Sequence, residues 1–185
     1  MQDAKKLLQI KPNMSIAKKF YKNSLSLLIE KNNLICSLIV ILIFFLDRIS
    51  KIKIIDHQLH NNRVYINDFI NFDLVWNTGI GFGFLSSNSN FVYNSITLLI
   101  GIVIIFLIYL ILRSQFIDKI LFSSVLGGAL GNFCDRLVYF AVPDFIDIHY
   151  QSFHWFTFNI ADIFISLGII LLILREIIFI KNEKN

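Results

Sequence analysis

Apolar residues in this chain come in blocks separated by short polar stretches. Four blocks predict membrane-spanning helices: residues 34–51, 91–112, 120–137 and 158–174. The second is uncharged throughout and meets the roughly 20 apolar residues that a crossing needs. The first and third are marginal and need their polar ends at the interface, since the uncharged core of the first is only residues 34–46. The fourth carries one charge, Asp162. Between the first two blocks, residues 69–76 and 79–85 are rich in β-formers and aromatics, and Asn77-Thr78-Gly79 punctuates them as a turn. The pattern predicts an α-helical integral membrane protein: four transmembrane helices with a small extracytoplasmic β-structure between the first and second helices. Trp76 and Phe82 then sit at the interface. A simple aromatic interfacial loop is the alternative, and the clustered glycines 79, 81 and 83 argue against it by favouring close backbone approach.

The 185 residues suffice for one domain. We expect a basic cytoplasmic tail over residues 1–33, a membrane domain over 34–180 with its outer β-region at 52–90, and a short cytoplasmic tail at 181–185. Hydrophobic residues make up 56% of the chain and mean hydropathy is +0.66, high for a soluble domain. The net charge of +4 raises nucleic acid as a partner, but most basic residues flank apolar blocks and no nucleic-acid motif occurs. Twelve of the 17 lysines and arginines fall in the N-terminal tail, the loop at residues 113–119 and the C-terminal tail. The positive-inside rule makes that side cytoplasmic, so both termini face in. Asp56, Asp68, Asp73, Asp144 and Asp147 fall on the other side. No apolar core precedes Leu25, so no cleavable signal peptide is expected. Residues 16–29 read equally as a basic amphipathic helix on anionic lipid or as a disordered extension. Cys36 and Cys134 show neither metal spacing nor a disulfide scaffold.

Two aspartates carry the chemical argument. Asp162 lies near the start of the fourth block and Asp144 in the short segment before it. A carboxylate in hydrocarbon costs about 2.5–3.5 kcal/mol even on the lenient scale, so an intramembrane acid points to function. Asn159 and Asp162 (i, i+3) share a face, as do Asn132 and Arg136 (i, i+4) in the third block. Gly127 and Gly131 there form a G-x-x-x-G that permits close helix packing. Asp135 points away from Arg136 and reads as a structural anchor, though it rivals the pair for catalysis. Asp47 and Lys51 (i, i+4) read either as an interfacial salt bridge ending the first helix or as part of a substrate site. Two close acids in low dielectric share a proton: the ionised one deprotonates water and the protonated one polarises a carbonyl. No metal or other cofactor is expected, because His57, His60, His149 and His154 lack ligand-like spacing. His149 and His154 read as interfacial or solvated turn residues. Ser86, Ser87 and Ser89 read as loop.

Taken in order, Asp47-Arg48-Ile49-Ser50-Lys51, Asn77-Thr78-Gly79-Ile80-Gly81-Phe82-Gly83, the stretch from Gly127 to Arg136, Val142-Pro143-Asp144-Phe145 and Phe158-Asn159-Ile160-Ala161-Asp162 resemble the bacterial lipoprotein signal peptidases, an aspartyl peptidase family. The resemblance implies an endopeptidase of the bacterial inner membrane, acting at its extracytoplasmic face. It implies substrates that are prolipoproteins bearing a diacylglyceryl-cysteine, cleaved N-terminal to that cysteine among membrane lipids, by an enzyme working as a monomer. Asp144 and Asp162 become the catalytic pair. Asn132, Arg136 and Asn159 shape the site, with Asp47, Lys51, Asn77, Gly79 and Asp135 supporting. Ser50 stands where the family usually has Thr, Gly81 where Ala is usual, and Pro143 where an aliphatic residue is usual. None of these removes a chemical group.

A small transporter with an intramembrane ion path is the competing reading. Against it, the charges cluster toward the outer ends of the spans, and no inverted repeat or broken-helix pair is visible. A structural assembly factor with buried polar locks is a third reading.

Overall fold

A computed structural model describes residues 30–61, 63–79 and 90–183. Residues 1–29 of the tail, the glycines at 81 and 83, Phe82 and the serines at 86, 87 and 89 lie outside the described residues, whereas the last tail residues, from Lys31, already belong to the first helix. Among the described residues, four long helices carry a four-stranded sheet. Helix α1 spans Lys31–His60, strands β1 and β2 span Val64–Asn67 and Ile70–Asn77, and helices α2 and α3 span Asn90–Arg113 and Phe116–Tyr139. Strands β3 and β4 span Val142–Tyr150 and Phe153–Phe158, and helix α4 spans Ile160–Glu183.

Helix α3 is the hub. Its small residues let two neighbours approach closely. A methyl group added at Gly127 would meet Ile43 Cβ of α1 at 2.9 Å, and one at Gly128 would meet the Ala161 carbonyl oxygen of α4 at 2.6 Å. Cys36 of α1, Ile104, Leu107 and Ile111 of α2, and Val125, Leu126 and Ala129 of α3 form the buried core. The polarity is inverted relative to a soluble bundle. Leu38, Leu42, Phe45 and Ile49 of α1 face outward, whereas Asp47, Lys51 and Asp135 are wholly buried. Helices α2 and α4 have the length and apolarity of membrane crossings, with mean hydropathies of 3.0 and 2.6. The chain is a membrane protein.

The sheet is antiparallel in the order β1-β2-β3-β4. Only β1 and β2 come from the region where β-structure was expected. Strands β3 and β4 lie between α3 and α4, in residues read as a short segment and a turn, and Phe158, assigned to the fourth span, ends β4. Val142-Pro-Asp-Phe-Ile-Asp-Ile-His-Tyr carries two acids, a histidine and a proline and so does not stand out as a buried strand; pairing on both edges is what makes it one. Helix α1 is also longer than expected. It runs on to His60, into residues assigned to the outer β-region, because Ile52, Ile54 and Ile55 continue the helical pattern with no breaker before Asn61. Its Gln58 accepts from Leu74 N at 2.8 Å and donates to Phe72 O at 2.9 Å, tying the helix end to β2. At the other end of the chain, α4 continues through residues 181–183, which had been assigned to the tail.

Candidate active site

The start of α4 sets the geometry. Asn159 precedes the first helical residue, and its Oδ1 accepts from Asp162 N at 3.0 Å. Asp162 Oδ2 in return accepts from Asn159 N at 3.1 Å. This reciprocal cap satisfies two backbone donors that the helix itself leaves unpaired. It also orients the remaining amide group of Asn159, whose Nδ2 donates to Asp144 Oδ1 at 2.6 Å. One residue therefore bonds both carboxylates, Asp144 through its side chain and Asp162 through its backbone N–H. The other oxygens are held by amides too: Asn77 Nδ2 donates to Asp144 Oδ2 at 2.9 Å, and Asn132 Nδ2 to Asp162 Oδ1 at 2.8 Å. Asn77 is itself fixed by Gly79 N, which donates to its Oδ1 at 2.8 Å across the turn that ends β2. Asp144 is 2% exposed. Burial, and next the Asp162 carboxylate, raise its pKa to about 7 against the opposing pull of the Asn77 and Asn159 amides.

Behind the acids lies a buried charge cluster. Lys51 Nζ donates to Asp47 Oδ2 at 2.7 Å, Asp135 Oδ2 at 2.7 Å and Asn132 Oδ1 at 2.8 Å. Asp47 Oδ1 accepts from Ala161 N at 2.9 Å, and Asp135 Oδ1 pairs with Arg48. Three donors on one ammonium and three acceptors make this a satisfied network, the condition under which buried charge is tolerated. It fixes the rotamer of Asn132, and through it Asp162. The Asp47–Lys51 pair does not end the first helix at an interface: it is wholly buried and α1 continues to His60. Arg136 donates to Gly79 O, stacks over the Tyr93 ring at 5.6 Å, and has no acceptor for Nε and Nη1 among the described residues.

All ten residues singled out in the sequence thus fall in one connected region, built from α1, β2, α3, β3 and the start of α4. Three participants were missed. Tyr93 donates to Arg136 O at 2.7 Å, and nothing in its local sequence marks it. Arg48 was visible only as a neighbour of Asp47. His149 is not solvated but buried, beside Asp147 and half-exposed His154. Next to Asp162, a cavity of about 250 Å³ opens between β4 and α4, lined by Phe156, Phe158, Ile163, Ser166 and Leu167. Among the described residues, no group of three or more His, Cys, Asp or Glu is arranged to hold a metal ion.

Comparison with known proteins identifies the family. The family described as signal peptidase (SPase) II matches residues 39–178. The chain belongs to the signal peptidase II family. It is 46% identical over 160 residues to the lipoprotein signal peptidase of Pelagibacter ubique (strain HTCC1062), covering 84% of this chain and 96% of that one. Identity to the lipoprotein signal peptidase of Anaplasma marginale (strain Florida) is 32% over 151 residues, or 80% and 88% of the two chains. A bacterial membrane enzyme solved by the in meso method at 2.3 Å superposes with a TM-score of 0.66 at 29% identity, covering 80% of this chain and 90% of that one. As a family member the chain is a hydrolase of the signal peptidase II type, which sets aside the transporter and assembly-factor readings.

Proposed function

We propose that this chain is an aspartyl endopeptidase that removes signal peptides from diacylglyceryl-modified prolipoproteins, with Asp144 and Asp162 as its catalytic pair. The observation that carries the reading is Asn159, bonded at once to Asp144 Oδ1 and, through its backbone, to Asp162 Oδ2. Two acids joined by one residue act as a unit that shares a proton. Burial and the neighbouring Asp162 carboxylate raise the pKa of Asp144 toward the neutral range, so the pair can hold both a base for water and an acid for the scissile carbonyl. Asn77, Asn132 and Asn159 leave lone pairs on each carboxylate for a water. Arg136 Nε and Nη1, which have no acceptor among the described residues, suit a substrate carbonyl, and the cavity beside Asp162 suits an apolar chain entering sideways from lipid.

In this reading all four helices cross the bacterial inner membrane. The apolar outward face of α1 supports it, with Leu38, Leu42, Phe45 and Ile49 exposed while Asp47 and Lys51 of α1 and Asp135 and Arg136 of α3 are turned into the bundle. Both termini are cytoplasmic, the sheet and the acids lie at the extracytoplasmic boundary, and the enzyme works as a monomer. The lipidated precursor, not a soluble peptide, is its partner. The test is cleavage of a diacylglyceryl-modified precursor and of its unlipidated form by wild type, Asp144→Asn and Asp162→Asn. Wild type should cleave the lipidated form far faster, and each single variant should abolish release. Full activity in either variant would overturn the assignment.

A further inference from the structure

The hairpin of β3 and β4 carries one acid at each end: Asp144 near its start, and Asn159 and Asp162 just after its finish. Its register therefore sets their separation. That register is irregular. Asp147 pairs with Thr157 and Ile148 with Phe156, but His149 then pairs with His154, so the ladder slips between Ile148 and His149. The slip leaves one residue of β4 unpaired and locally disrupts the ladder on the turn side of Ile148. Side chains bridge the slip instead. His154 Nδ1 lies 2.7 Å from Asp147 Oδ2 across the two strands. The His149 ring stacks on that of His154, with centroids 5.4 Å apart and 22° between planes. His149 Nε2 lies 3.3 Å from Asn71 Nδ2 of β2, and its Nδ1 lies 3.7 Å from Asp147 Oδ2. Asp147, His149 and Asn71 are all buried.

We propose that the Asp147–His154 pair, backed by His149, is a register lock that fixes the spacing of the two carboxylates, making Asp147 and His154 positioning residues for cleavage. This rests on the peptidase reading. A slip of one residue moves a strand by about 3.4 Å and turns its side chains to the other face. The 2.6 Å bond from Asn159 to Asp144 cannot survive it. The contact between the His154 ring and the Asp147 carboxylate is a charge-assisted hydrogen bond that ties the two strands together. Within the sheet, Asn71 of β2 and His149 of β3 face it. Among the described residues, no ion pair joins it to Asp56, His57 or His60 of α1, or to Asp68 and Asp73.

The test compares Asp147→Asn, His154→Ala, their double variant and His154→Asn, whose amide can replace the ring Nδ1–H. Displacements of about 1 Å can cost 10²-fold in rate. The first two should each lower kcat about tenfold or more, with KM held within about twofold of wild type. The double variant should be no worse than the poorer single, as coupled residues require. His154→Asn should recover most of the rate, because its amide N–H can reach the Asp147 carboxylate that the ring Nδ1 now faces. Amide exchange in β4, measured without substrate, should quicken in both singles. Unchanged kcat, independent multiplying losses, or losses matched by the fraction of unfolded protein would overturn the proposal. Unchanged exchange in both singles would refute the lock whatever the activity. Failure of wild type to cleave the lipidated precursor would instead refute the peptidase reading.

Discussion

Asp144→Asn should abolish cleavage yet stabilise the protein at alkaline pH. In the folded chain Asp144 holds its proton up to a pH of about 7, whereas an unstrained aspartate releases it near 3.8. A raised acid binds its proton more tightly when folded, so stability is lost as pH climbs between those two values. The gap is about three pH units at 1.36 kcal/mol each, so the ionised carboxylate costs about 4 kcal/mol above pH 8. An asparagine removes that charge at constant size. It also loses something: both oxygens of Asp144 accept amide donors, from Asn159 and Asn77, and an asparagine has only one such oxygen. Facing one donor with another costs about 1–3 kcal/mol. The balance is a variant about 1–3 kcal/mol more stable than wild type at pH 8.5, and less stable by a similar amount at pH 4, where wild type carries no charge cost. For a chain of this size each kcal/mol is about 2–4 °C in Tm. Cys36, 2% exposed in the core, offers the assay: its reaction with a thiol dye during heating in detergent reports opening of the α1–α3 contact. A variant that is destabilised equally at both pH values would refute the buried, proton-holding state of Asp144.

Lys51→Met should be far more damaging than a surface lysine change, because it leaves Asp47 and Asp135 buried without their shared ammonium; about 3–5 kcal/mol of stability should be lost in the same thermal assay. Chelators should leave peptide release unchanged, and loss of activity restored by zinc would move the chain to the metalloproteases. Reporter fusions after Arg113 and at the C-terminal tail should read as cytoplasmic, and those near Asn62 and Gln151 as external; a cytoplasmic signal near Gln151 would put the acids in the wrong compartment.

Local patterns carried much of this. Apolar blocks mark where helices run, because burial in lipid depends on composition along a single segment. The cap at Asn159 and Asp162 is also legible, since both partners lie within one helical turn. So are Gly127 and Gly131 as close-packing positions, although what they admit is α1, with Ile43 against the first and the Asp47 side chain against the second. Other features depend on partners distant in sequence. Strand β3 looks like a polar connection until β2 and β4 pair with both its edges and cover Asp144 and Asp147. The Asp47–Lys51 pair has the same spacing whether it lies at a surface or in a core. Only the packing of α3 and the Ala161 amide, 114 residues away, makes it a buried brace. Tyr93 becomes part of the site solely because α2 crosses α3 beside Arg136. Secondary structure and its caps arise from neighbours within a few residues, which a sequence displays directly. The raised acidity range of Asp144, the satisfied charge cluster and the irregular β3–β4 register arise from desolvation and contacts between elements, which exist only once the chain has closed on itself.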